Sequence, residues 1–102
     1  MFKIEYYSEV YDDLDKLSDA VALEVYEYFE RYETEPEKHS KRLHNQGGLN
    51  LEGCRKTYVA NATYRIVIKI ENNTAKVVEV VAVGKREDKE VYLEAHNRIN
   101  NQ

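Results

Sequence analysis

The stretch CRKTYVANATYRIVIKIENNTAKVVEVVAV, residues 54–83, decides how this chain folds. It holds three runs rich in β-branched and aromatic residues, Cys54 to Ala60, Tyr64 to Glu71 and Lys76 to Val83. Asn61-Ala62-Thr63 and Asn72-Asn73-Thr74 separate them, and turn-forming residues at that short spacing predict two hairpins and a three-stranded antiparallel meander. In the middle run Tyr64, Ile66, Ile68 and Ile70 fall on one face, with Arg65, Val67 and Lys69 on the other. The isoleucine face is the core side, and Arg65 is expected on a face left open to solvent or ligand.

Towards the N-terminus, Phe2, Ile4 and Tyr6 alternate with Lys3 and Glu5, the period of a half-buried strand. Ser8 offers an N-cap to a short helix carrying Val10, Leu14 and Leu17. Ser18 caps a second helix with Val21, Val25, Tyr28, Phe29 and Tyr32 on one stripe, and Pro36 stops it near Thr34. The two form a helical hairpin with acidic outer faces, expected to cover the isoleucine face. Residues 36–53 hold the only Pro, three of the four Gly and few apolar anchors, which reads as a connecting loop. Beyond residue 83, Val91, Ala95 and Ile99 recur at helical spacing. The order β-α-α-β-β-β-α predicts an α+β domain: N-terminal strand, helical hairpin, three-stranded meander and C-terminal helix, with one sheet covered on one face.

A chain of 102 residues is expected to be one domain, residues 1–102, with a single modest core. Its 42% apolar and 33% charged residues lack the signature of disorder. No apolar run approaches the roughly 20 residues of a membrane span, and the N-terminus has no signal-peptide core, so a cytoplasmic location is expected. A lone Cys54 reads as a small buried strand residue, and no Cys/His pair has zinc-ligand spacing. The net charge of −4 conceals a split. Residues 1–38 carry 12 acidic and 4 basic side chains, whereas residues 39–102 carry 7 acidic and 11 basic. One part of the molecule can therefore meet a polyanion while the other repels it.

The basic residues fall into a pattern. Neighbouring strands about 4.8 Å apart can bring Lys56 or Arg55 beside Arg65; alternation groups Lys56 with Tyr58 and sets Arg55 opposite. Arg86 leaves the end of the third strand, and Tyr92 follows six residues later on the terminal helix. Clustered like charges are costly without an anion, and the planar fork of Arg suits phosphate. A phosphodiester transition state gathers negative charge that fixed cations stabilise, and RNA supplies its own nucleophile in the 2′-hydroxyl. That route needs neither metal nor cofactor. Taken singly, each cation reads as a solubilising side chain, Tyr92 as a boundary aromatic, and His39, His44 and His96 as surface residues. An unperturbed Lys titrates near about 10.4 and Tyr near about 10, so either needs a downward shift to act as a base at neutral pH.

Three segments carry a family likeness: Gly53-Cys54-Arg55-Lys56, Tyr64-Arg65-Ile66-Val67, and Val83-Gly84-Lys85-Arg86 followed by Glu90-Val91-Tyr92 and Glu94-Ala95. In these the chain resembles the RelE branch of the RelE/ParE toxins of type II toxin-antitoxin modules. The resemblance covers nearly the whole chain in element order and residues 53–99 in detail. It implies a ribosome-dependent messenger RNA endonuclease that cuts in the A site, leaving a 2′,3′-cyclic phosphate and a 5′-hydroxyl. By position, Lys56 would stand near the attacking hydroxyl, Arg65 would stabilise the phosphate, Arg86 would assist the leaving oxygen, and Tyr92 would orient the nucleotide. Arg55, Tyr58, Lys85 and Lys89 are the accompanying RNA-binding candidates. The partners implied are a cognate antitoxin, the ribosome and messenger RNA, with no membrane, metal or cofactor. The chain departs from the family at Tyr58, where a second Lys is usual, in its acidic net charge, and in Glu87 and Asp88 beside Arg86. The alternatives within the fold are a ParE-like gyrase inhibitor and a non-catalytic or degenerate binding module.

Overall fold

The computed structural model describes residues 1–44, 47–72 and 74–101. Strand β1 (Lys3–Tyr6) leads into helices α1 (Val10–Asp15) and α2 (Asp19–Tyr32). Strands β2 (Lys41–Arg42), β3 (Cys54–Val59), β4 (Tyr64–Asn72) and β5 (Lys76–Lys85) follow. A 3-10 turn (Glu87–Lys89) then enters helix α3 (Glu90–Asn100). The sheet order is β1-β5-β4-β3-β2, with β1 parallel to β5 and every other pair antiparallel. The meander is therefore present, flanked by one strand on each edge. The second predicted turn includes Asn73, which lies outside the described residues, as do Asn45 and Gln46 of the predicted loop.

Ser18 caps α2 as its sequence implies, accepting a hydrogen bond from the Val21 amide at 3.3 Å. Ser8 does not cap α1; Glu9 occupies that position without a side-chain bond. Val10, Val25, Phe29 and Tyr32 of the helices bury themselves against Ile66, Ile68, Val78, Val80 and Val83, so the isoleucine face is the core side. The Tyr32 phenol enters this core bonded to the Thr57 hydroxyl, which itself donates to the His39 carbonyl at 2.7 Å. A buried phenol is tolerable because that chain of donors satisfies it.

The opposite face is not open. Val91, Tyr92 and Ala95 of α3 pack onto Val67, Val81 and Ala82, joined by Leu51 and Cys54, and bury a second core. Fully burying each large apolar side chain contributes roughly 1.5–3 kcal/mol, enough to hold a three-turn helix. The signal was in β5, whose near-continuous apolar run is the pattern of a strand buried on both sides. Cys54 lies in this second core, buried as read from the sequence. A second revision is β2, which falls inside the stretch read as a loop and adds a strand beyond β3.

One residue of β5 is extra. Val67 pairs with Ala82 and Ile68 with Val80, leaving Val81 as a bulge. β1 ends here, its last ladder partner being Val80. Beyond it, the Val83 amide donates to Asp13 Oδ2 at 3.0 Å, and the Val81 carbonyl accepts from Arg98 Nη1 at 3.0 Å. Arg98 and Asp13 in turn form a buried two-point ion pair at 2.6 and 2.8 Å. That pair satisfies the exposed backbone of β5 and ties α1 to α3.

Candidate functional site

The β3–β4 register sets Tyr58 directly opposite Arg65 and Lys56 opposite Val67, so Lys56, Tyr58 and Arg65 share the α3 side of the sheet. Gly84 faces Arg65 from β5. A Cβ at Gly84 would meet Val91 Cβ at 3.4 Å, an ordinary contact, so the first turn of α3 packs against the strand at this position. α3 then delivers Tyr92 over Arg65.

Arg65 is the hub. Only 8% exposed, it donates from Nη1 to the Tyr92 hydroxyl at 2.6 Å, and its Cζ lies 4.1 Å from the centre of the Tyr58 ring. Its Nε is buried without a hydrogen-bond partner among the described residues. Lys56 Nζ also stands against the Tyr58 ring, at 5.3 Å from its centre, and Lys41 Nζ at 5.6 Å. A ring facing three cations gains from each through its quadrupole. The phenol of Tyr58 titrates below the ordinary tyrosine value, first because Lys56 hydrogen-bonds to it and further through the charges of Arg65 and Lys41.

Arg86 reaches the same place by another route. Its amide donates to the Thr63 carbonyl at 3.0 Å, which fixes the end of β5 to the β3–β4 turn. Asp88 and Lys89 then take left-handed φ values of 54° and 58°, reversing the chain before α3 begins. Two successive non-glycine residues in that region are uncommon and costly, a feature concentrated at functional segments. Among the described residues Arg86 forms no ion pair, so neither Glu87 nor Asp88 neutralises it by direct contact.

Lys56, Tyr58, Arg65, Arg86, Lys89 and Tyr92 together line a cleft of about 570 Å³, with Glu87 and Asp88 on its wall. Six of the eight residues singled out from sequence thus meet. Arg55 does not: it lies on the other side of β3, bonded to Ser40 Oγ at 2.7 Å and to the Ser40 and Glu37 carbonyls at 2.9 and 3.2 Å. Its donors anchor the chain before β2, which removes it from the cleft. Lys85 is the second correction, because alternation along β5 turns it away from Gly84 into a separate cavity beside Tyr64 and Lys16. Lys41, in the stretch read as a loop, does not line the cleft but reaches the Tyr58 ring from β2. Among the described residues, no group of three His, Cys, Asp or Glu side chains could hold a metal ion.

No family model and no curated protein matches the chain, but solved structures do. The E. coli toxin RelE, as a double-arginine variant in the free state, superposes with a TM-score of 0.70 at 25% identity over 96% of this chain and 97% of its own. The chain has the RelE-like toxin fold. The same fold recurs in the intact E. coli RelBE toxin-antitoxin complex, with a TM-score of 0.68, 20% identity, and coverage of 85% and 99%. It recurs again in the RelBE2 complex of Mycobacterium tuberculosis, with a TM-score of 0.66, 23% identity, and coverage of 83% and 98%. The RelE-like fold was legible from element order and the three motif segments, and its elements match the α+β reading. No described helix is long and apolar enough to cross a membrane.

Proposed function

We propose that this RelE-like chain, one domain over residues 1–102, is the cytoplasmic toxin of a type II toxin-antitoxin module and cuts ribosome-bound messenger RNA. The observation that carries this reading is the convergence of Lys56, Arg65, Arg86 and Tyr92, from four separate parts of the chain, on one cleft. Cleavage transfers the proton of a 2′-hydroxyl to a base and forms the bond from O2′ to phosphorus. The bond to O5′ breaks, and that oxygen takes up a proton. Lys56 stands beside the attacking hydroxyl, and Arg86, which forms no ion pair among the described residues, meets the charge that develops on phosphate and leaving oxygen. Arg65, buried beneath Tyr58, supplies charge from below and fixes the Tyr92 phenol, which orients the nucleotide. Structures of similar fold in complex with antitoxins support a cognate antitoxin as partner.

Primer extension on ribosome-bound message tests the reading. The purified chain is expected to produce a stop at the A-site codon, and Arg86→Ala to lower cutting at least 100-fold, about the loss of one oxyanion donor, with an unchanged fold by circular dichroism. Message left intact at stoichiometric protein, or cut at full rate by Arg86→Ala, overturns it. Inhibition of DNA gyrase with intact message would move the assignment to the ParE-like alternative.

A further inference from the structure

Lys41 stands directly opposite Lys56 in the β2–β3 ladder, and Arg42 opposite Arg55. Like charges in register destabilise a strand pair. Arg55 is relieved by carbonyls and Ser40, but among the described residues neither Lys41 nor Lys56 is paired with a carboxylate. The two ammonium groups instead face the same Tyr58 ring. A second cavity of about 250 Å³ opens on the far side of that ring, sharing Lys56 and Tyr58 with the cleft. Its wall carries Tyr28 and His39, whose rings meet edge to face with centres 6.4 Å apart. Lys38, also on this wall, is paired with Glu35 at 3.7 Å and adds less free charge.

We propose that the substrate groove continues from the cleft across Tyr58 onto β2, where Lys41 and Lys56 clamp a second phosphodiester of the same RNA strand. The proposal rests on the nuclease reading of the cleft and extends it. Cations alternating with aromatic faces along a groove suit single-stranded nucleic acid, whose phosphates and bases alternate in the same way. Tyr28 and His39 then offer the neighbouring base a surface to stack on. The anion also removes the repulsion that the β2–β3 register builds in.

The test uses the purified chain and a fluorescent single-stranded RNA fully 2′-O-methylated, which cannot be cut, with anisotropy followed across a salt series. Lys41→Gln is expected to weaken binding several-fold and to reduce the slope of log affinity against log salt by about 0.7, the loss of one phosphate contact. Lys76→Gln, remote on β5, should leave both values unchanged. A wild-type slope and affinity in Lys41→Gln, or no binding by the wild type at the lowest salt, overturns the proposal. So does a Lys41→Gln defect seen only with an acidic peptide. Because the probe cannot be cut, intact message in primer extension sinks the nuclease reading alone, and an unaltered Lys41→Gln sinks the second contact alone.

Discussion

At the scale of single residues, Tyr58 sets this cleft apart, since it places a phenol where a cation is usual in the resembling family. Its lowered titration follows from Lys56, Arg65 and Lys41 around it, all of which favour the phenolate. Absorbance near about 295 nm, where phenolate absorbs and phenol does not, should therefore show one tyrosine ionising below the ordinary value of 10.0, absent in Tyr58→Phe. An identical titration curve for the two proteins would refute the environment described. Spacing pointed to Lys56, Tyr58, Arg65, Arg86 and Tyr92 as neighbours, because strand alternation and a helix start are local rules, and they meet in the cleft together with Lys89. Arg55 and Lys85, named alongside the family resemblance, lie outside the cleft, and strand alternation already sets Arg55 on the opposite side. Lys41 escaped because a two-residue strand has no period to detect.

At the scale of elements, the β5 bulge and the Asp13–Arg98 pair act as one joint. Their partners come from α1, β5 and α3, and the backbone groups they satisfy lie just past the end of β1. Asp13→Ala leaves buried Arg98 with only the longer, half-exposed contact to Glu94 at 3.6 Å, and breaking a buried pair in this way costs about 3–5 kcal/mol. Urea denaturation should register that loss, while Asp13→Leu combined with Arg98→Met should cost less than Asp13→Ala alone. If the double variant is the weaker protein, the ion pair stabilises beyond its own desolvation. None of this was visible in the sequence, where Asp13 is one acid among many on an acidic helix and its partner is 85 positions away. The helices, the meander and the covered isoleucine face were visible, because each depends on periodicity inside one segment. The parallel pairing of β1 with β5 joins the two ends of the order and leaves no local trace.

At the scale of the whole molecule, two cores on opposite faces of one sheet place ionisable groups in apolar surroundings. Burial pushes the Cys54 thiol from 9.0 up to about 11, and it raises the phenols of Tyr6, Tyr7 and Tyr32 as well. A group whose folded value is raised keeps its proton longer folded than unfolded. Stability is then fully present below about pH 9 and declines as pH rises towards 11. Thermal melting across that window should show the fall, and Cys54→Ala should remove part of it. A flat profile would mean these groups are hydrated in the folded chain. The long reach of Asp13 to Arg98 also has a bearing on the order of synthesis. Until α3 has been made, Asp13 has no Arg98 to bond, so Tyr92 is not yet at the cleft and the joint cannot close. The cleft is thus completed only after every other described element of the fold has been made. Pulse proteolysis of stalled nascent chains should find protection appearing only once Arg98 has emerged.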